Sequence, residues 1–272
     1  MSVALRPLSL GELLDQTFQL YRRHFLLFVG IAAVPGLLVL LFQVLQYVMP
    51  KSLGSGLGAL GITLLLSLLS LVVQLAASAA SQGATVWAVS ELYLNRPASL
   101  HSAFSGIRGR IGRLVNVNLR VGIRVLLGLI LLIVPGILWA LKYSLAIPAA
   151  LLEDLPAGAA LKRSAVLTRG DRGRIFLLYV LFFVLDIIFL TVLGAFLGVS
   201  ILSYGSAIRD TGTLVALMFG GWLVKSLVGP VLTIGVSLLY YDERVRKEAF
   251  DLQLMMDALE GGAPAVAPAA GV

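Results

Sequence analysis

The chain has 272 residues, 59% hydrophobic and 13% charged, with a net charge of +7 and no cysteine. A soluble domain carries about 25% charged residues, so a globule of this composition would show water large apolar patches and aggregate. That excludes a soluble fold, and the missing cysteine excludes a disulfide framework or a thiolate metal site; lipid is the solvent that suits a mean hydropathy of +0.97.

Taken in order, the chain starts with a surface helix over residues 9–23. Ser9 and Glu12 have the spacing of a capping box, which satisfies backbone donors at the first turn. Leu10, Leu13, Leu14, Phe18 and Tyr21 fall on one face, and Glu12, Asp15, Gln16, Gln19, Arg22 and Arg23 fill the other. Such a helix lies in the headgroup plane or packs on the rest of the bundle. No cleavable signal is evident. The first apolar run starts near residue 24, behind this polar segment, and is too long for a signal core.

Span 1 is predicted over 24–49, kinked at Pro35-Gly36, and span 2 over 57–93. The small residues of 76–84 would let helices approach closely in lipid. Residues 96–110 echo the opening: Arg96-Pro97-Ala98-Ser99-Leu100 resembles Arg6-Pro7-Leu8-Ser9-Leu10. Leu100, Ala103, Phe104, Ile107 and Ile111 form its apolar face. A third such unit starts near Asp154, with Asp154 or Leu155 as cap, Pro156 in the first turn and Gly170 as the stop. The chain thus reads as up to three units, each an amphipathic helix followed by two spans.

Spans 3 and 4 are predicted over 112–134 and 137–152, broken at Pro135-Gly136. Their apolar cores are short. Val125–Val134 extends only roughly 15 Å as a helix, against about 20 residues for a full crossing. A re-entrant hairpin is the alternative. Span 5 covers 174–203 and includes Gly194-x-x-x-Gly198. Span 6 covers 213–241, with Tyr240 and Tyr241 placed as an interfacial aromatic belt. A cytoplasmic helix over 242–260 and a disordered tail over 261–272 complete a single integral membrane domain over 1–260.

The basic residues set the orientation. Three precede span 1, six fall between spans 2 and 3 or at the start of span 3, five follow span 4 and three follow span 6, which makes seventeen; Lys51 and Arg209 are the two on the other side. The positive-inside rule then places both termini in the cytoplasm.

Arg113, Arg120 and Arg124 lie within about 40° of one another on one helix face. They suit anionic lipid headgroups at the inner leaflet, or are ordinary snorkelling residues. Asp186, Lys225 and Lys142 sit inside apolar runs, where an isolated charge is costly and so faces the interior and pairs. Similar depth suggests an Asp186–Lys225 pair, with Lys142 as competitor. His24 and His101 flank basic segments and read as headgroup-level residues. No phosphate-binding loop, zinc-protease motif or nucleophile elbow is present.

The segments RPLSLGELLDQTFQLYRRHF, PGILWALKYSLAIPAALLE, ALKRSAVLTRG and LLYYDERVRKEAFDLQ resemble the bacterial and archaeal family of glycerophosphoryl diester phosphodiesterase membrane domains. The resemblance covers about residues 6–255. It implies a multi-helix integral domain, sometimes fused to a phosphodiesterase barrel. That barrel's metal-binding carboxylates and catalytic histidines have no counterpart here, so the resemblance implies at most an accessory part in phospholipid or glycerophosphodiester metabolism.

The expectation is an all-α, six-span bundle in a bacterial or archaeal cytoplasmic membrane. Its first functional reading is a non-enzymatic scaffold or lipid-associated protein. The alternative is a transporter or permease-like component with a polar site around Asp186, Lys225 and Lys142. Anionic inner-leaflet phospholipids are the expected partners, and a protein partner or a second copy of the chain stays open. No cofactor, metal or nucleic acid is expected.

Overall fold

The computed structural model describes residues 8–53, 56–196 and 211–248. These form ten helices: α1 (Leu10–Arg23), α2 (Phe25–Leu53), α3 (Leu57–Tyr93), α4 (Leu100–Gly106), α5 (Ile111–Leu131), α6 (Ile133–Lys142), α7 (Ala146–Leu152), α8 (Ala157–Leu167), α9 (Arg172–Phe196) and α10 (Thr211–Glu248). Six stretches are long and apolar enough to cross a membrane: α2, α3, α5, the α6–α7 segment, α9 and α10. The far end of span 5, Gly198, residues 249–260 and the tail lie outside the described residues.

α2 and α3 form a helical hairpin, joined by Gln46 Nε2 donating to Ser67 Oγ at 2.6 Å. α10 packs against both, and α9 packs on α10. α5 lies on the other side of α3. Small residues make these joints close, as expected for helices meeting in lipid. Trp222 rests on Gly36, where an added Cβ would come within 3.0 Å of the indole, and its Nε1 donates to the Ala33 carbonyl at 3.3 Å. Gly83 admits Leu114 of α5; a Cβ there would stand 2.5 Å from Leu114 Cδ1. α2 itself continues as helix through Pro35-Gly36.

The start of the chain behaves as its cap predicts. Ser9 accepts from the Glu12 N–H, and the Glu12 carboxylate accepts from the Ser9 N–H at 2.8 Å. Leu13 and Thr17 are buried, and the Tyr21 hydroxyl donates to the Leu227 carbonyl at 2.7 Å. α1 is thus docked on α10. The echo of this unit is only partly a helix. Ser99 caps α4 through Ser102, but α4 stops at Gly106. Gly106 lies against the Trp87 ring, with no room for a side chain, and Gly109 turns the chain at φ +81.

The break between α5 and α6 is at Leu132, which is extended at φ -165 and ψ 150, not at Pro135-Gly136. Proline explains the shift. A helix interior loses a hydrogen bond to it, whereas the first turn has N–H groups with no intrahelical partner. Pro135 therefore sits in the first turn of α6, and the break falls just before it. Gly128 and Gly136 close the hairpin, each four residues from Leu132. A Cβ on Gly128 would lie 2.8 Å from the Gly136 Cα, so the two backbones touch. The return limb is also divided, since residues 143–145 separate α6 from α7. Further on, Pro156 is itself the cap of α8, with Asp154 left-handed at φ 52 and Gly170 at φ +97 just beyond the helix.

α10 is one helix that runs on past residue 241 to Glu248. Tyr240 and Tyr241 are buried rather than forming a lipid-facing belt. Tyr240 donates to Glu153 Oε1 at 2.6 Å and Tyr241 to Ser90 Oγ at 2.9 Å. Their hydroxyls meet protein partners, so they act as internal fasteners.

Candidate functional site

Two polar regions stand out in an otherwise apolar bundle. The first is a network of charges around the last turns of α10. Asp242 has no exposed side-chain surface. Its Oδ1 accepts the Leu8 N–H at 2.7 Å, and its Oδ2 accepts Arg174 Nη1 at 2.8 Å and Arg246 Nε at 2.9 Å. Lys247 Nζ lies 2.8 Å from Glu243 Oε2 and 3.2 Å from Asp171 Oδ2. Arg163 of α8 bridges Glu153 at 2.8 Å and Glu248, with Nη2 to Oε2 at 2.7 Å. Arg163 is held more firmly protonated than usual, first by its hydrogen bond to Glu248, against its partial burial and with Glu153 adding. The network ties Leu8, α8, α9 and α10 together, and its charges lie in ion pairs with one another.

The second region is a partly open cavity of about 600 Å³ within the apolar bundle, bounded chiefly by α2, α3 and α10. α3 supplies a polar stripe at helical spacing: Gln74, Ser78, Ser81 and Gln82. α2 adds Gln43 beside Val39 and Leu40, and α9 adds Tyr179. α10 contributes Trp222, Lys225 and Thr233. Lys225 is exposed to the cavity. Ser226 and Thr233 donate to carbonyls within their own helix, as hydroxyls in lipid do. Ser78 likewise donates to the Leu75 carbonyl at 2.9 Å and accepts from Asn118 of α5 at 3.4 Å. Gln43, Gln74, Gln82 and Lys225 make no hydrogen bond or ion pair among the described residues. In hydrocarbon each unsatisfied polar group costs several kcal/mol, so this arrangement requires water or a polar occupant.

The expected charge cluster is not assembled. Lys225 lines the cavity; Asp186 and Lys142 do not. Asp186 is half-buried, about 10 Å beyond Tyr179 along the same face of α9 by helical rise. Among the described residues it pairs with neither lysine. Lys142 is turned to Tyr143, its Nζ 5.5 Å from the ring centroid.

The arginine stripe divides. Arg113 Nη1 donates to Asp154 Oδ1 at 2.7 Å, and Arg110 Nε lies 3.4 Å from the same oxygen. Asp154 is held below the usual carboxylate range, first by the Arg113 hydrogen bond and then by the Arg113 charge; desolvation opposes this and Arg110 adds to it. Arg120 Nε donates to Asn116 Oδ1 at 2.8 Å, and Arg124 Nη1 donates to the Arg120 carbonyl at 3.1 Å. Neither of these two meets a carboxylate among the described residues.

Sequence reasoning missed the glutamine lining. The signal was the recurrence of Gln74, Ser78 and Gln82 every four residues, which marks one face of a helix. It lay inside the small-residue run, whose other face does pack: Ala79, Gly83 and Ala84 are buried.

Compared with protein-family models, with curated proteins and with solved structures, the chain finds no match.

Proposed function

We propose that the protein is a non-enzymatic, permease-like component of a cytoplasmic membrane, with both termini on the cytoplasmic side, and that it binds a polar ligand in the cavity between α2, α3 and α10. The observation that carries this reading is Lys225, an intramembrane cation with no counter-ion among the described residues, in a cavity shared with the carboxamides of Gln43, Gln74 and Gln82, which have no hydrogen-bond partner among those residues either. An ammonium and amide N–H groups donate hydrogen bonds, so the lining suits a ligand with a negative or strongly accepting group. The apolar sides, Val39 and Leu40 among them, suit a hydrocarbon portion. A pure scaffold has no use for such a cavity. The resemblance to phosphodiesterase membrane domains would place the ligand near phospholipid chemistry, and the cytoplasmic placement of both termini rests on the seventeen-to-two distribution of basic residues.

The test uses the chain's lack of cysteine. Ser81→Cys and Thr233→Cys are treated with a charged, membrane-impermeant methanethiosulfonate, beside the lipid-exposed positions Leu64→Cys and Leu68→Cys. The cavity positions are expected to react at least about tenfold faster. Equal rates at all four positions would mean a dry cavity, and the reading would fall.

A further inference from the structure

Two cations meet one ring at the base of the α5–α6 hairpin. Arg124 Cζ lies 5.7 Å from the Tyr143 centroid, and Lys142 Nζ lies 5.5 Å from the same centroid. A ring quadrupole steadies cations but brings no negative charge to neutralise them. Among the described residues neither cation has a carboxylate within ion-pair distance. Asp154, the carboxylate that the arginines of this stripe reach, is occupied by Arg110 and Arg113.

Beyond these charges the hairpin is bare hydrocarbon. Every residue from Leu129 to Val134 is exposed, Leu131 at 70% and Leu132 at 69%. The part of the hairpin beyond the two charges is also short. Val134, Leu138 and Leu141 share a groove with Arg172, Gly173 and Phe176. α6 therefore runs beside the first turns of α9, at the end where Arg174 binds Asp242. Its 10 residues rise about 15 Å, roughly half of an apolar layer about 30 Å thick.

We propose that the hairpin enters only the leaflet on the Arg174–Asp242 side, and that Arg124 and Lys142 together hold the phosphate of an anionic phospholipid. The phosphodiester supplies the missing charge and the acceptor oxygens, and a guanidinium fork matches two of them. The acyl chains cover the exposed tip. Free phosphate would satisfy the cations and leave that hydrocarbon bare. The site is separate from the Lys225 cavity and uses none of its residues.

Native mass spectrometry of the detergent-purified protein, titrated with phosphatidylglycerol or phosphatidylcholine, tests the assignment. The wild type is expected to prefer phosphatidylglycerol, and R124Q/K142Q to weaken that binding about tenfold while leaving phosphatidylcholine unchanged. R124K/K142R keeps both charges and stays within about threefold, which separates charge loss from misfolding. R113Q, whose guanidinium belongs to Asp154, keeps wild-type binding. Retained phosphatidylglycerol in R124Q/K142Q, or an equal loss in R113Q, would overturn the site. Competition by inorganic phosphate as effective as competition by lipid would overturn the lipid assignment. For depth, Leu131→Cys is exposed to an impermeant maleimide on the membrane face opposite the termini, and labelling there would overturn the single-leaflet hairpin.

Discussion

The charge network at the end of α10 and the cavity around Lys225 are two answers to one problem. Both place charged or strongly polar groups in a chain with little polar surface. At the network, each carboxylate named above has a cation close by: Asp242 has Arg174 and Arg246, Glu248 has Arg163 and Arg244, and Glu243 has Lys247. At the cavity, one lysine and three carboxamides face an open volume with no partner among the described residues. Groups that satisfy one another build structure. Groups left unsatisfied in a membrane are what an external ligand can complete.

If that contrast is right, substitutions in the two regions separate stability from binding. The largest effect is expected at Asp242→Ala, which strips a fully enclosed carboxylate from two arginines and the Leu8 N–H; removing one partner of a buried ion pair costs about 3–5 kcal/mol. Thermal unfolding in lipid nanodiscs measures it, and a near-wild-type midpoint would break the comparison. Arg163→Met comes next. It removes charge-assisted hydrogen bonds to two carboxylates at a half-exposed site, each worth about 1.5–3 kcal/mol, and it should loosen α8 from α10, visible as faster hydrogen exchange in α8. Lys225→Met is expected to leave stability within about 0.5 kcal/mol, as for substitutions that break no partnership, or to raise it, while abolishing any stabilisation by an anionic ligand. A large loss of stability there would mean Lys225 is structural after all.

The smallest effect belongs to Asp154→Asn, at an exposed pair. The Asp154 carboxyl is held below its ordinary range. Its contribution is therefore present above the ordinary carboxylate pKa and is lost as pH falls through the depressed folded value. Wild type and Asp154→Asn should differ slightly at neutral pH and converge in acid. Divergence on acidification would contradict that sign.

What could be read from the sequence follows the range of the interactions. The Ser9–Glu12 box and the Gly170 stop are local, and both stand as expected; so do the bounds of α3. The break falls at Leu132, three residues before Pro135, because the proline suits the next first turn and does not itself break the helix. The tripeptide Val-Pro-Gly makes the point twice: at 34–36 it lies inside a continuous helix, and at 134–136 it opens a new one. For Asp186 and Lys225 the sequence carries depth alone. Depth fixes position along a helix axis but not rotation about it, and the two side chains do not meet. The cavity was hidden for a different reason. Its lining comes from α2, α3, α9 and α10, and no local pattern announces which faces of four distant segments will turn to the same space.

α10 carries Lys225 and Asp242 on one rod, 17 residues or about 25 Å apart by helical rise. Pro230 stands between them and withholds one backbone donor from the rod. The ion pairs around Asp242 pin its last turns, and the cavity borders it on both sides of Pro230, from Leu217 to Val236. An anion bound at Lys225 would therefore load the same helix that the Asp242 ion pairs hold in place, so binding in the cavity and anchoring of the bundle meet on one element.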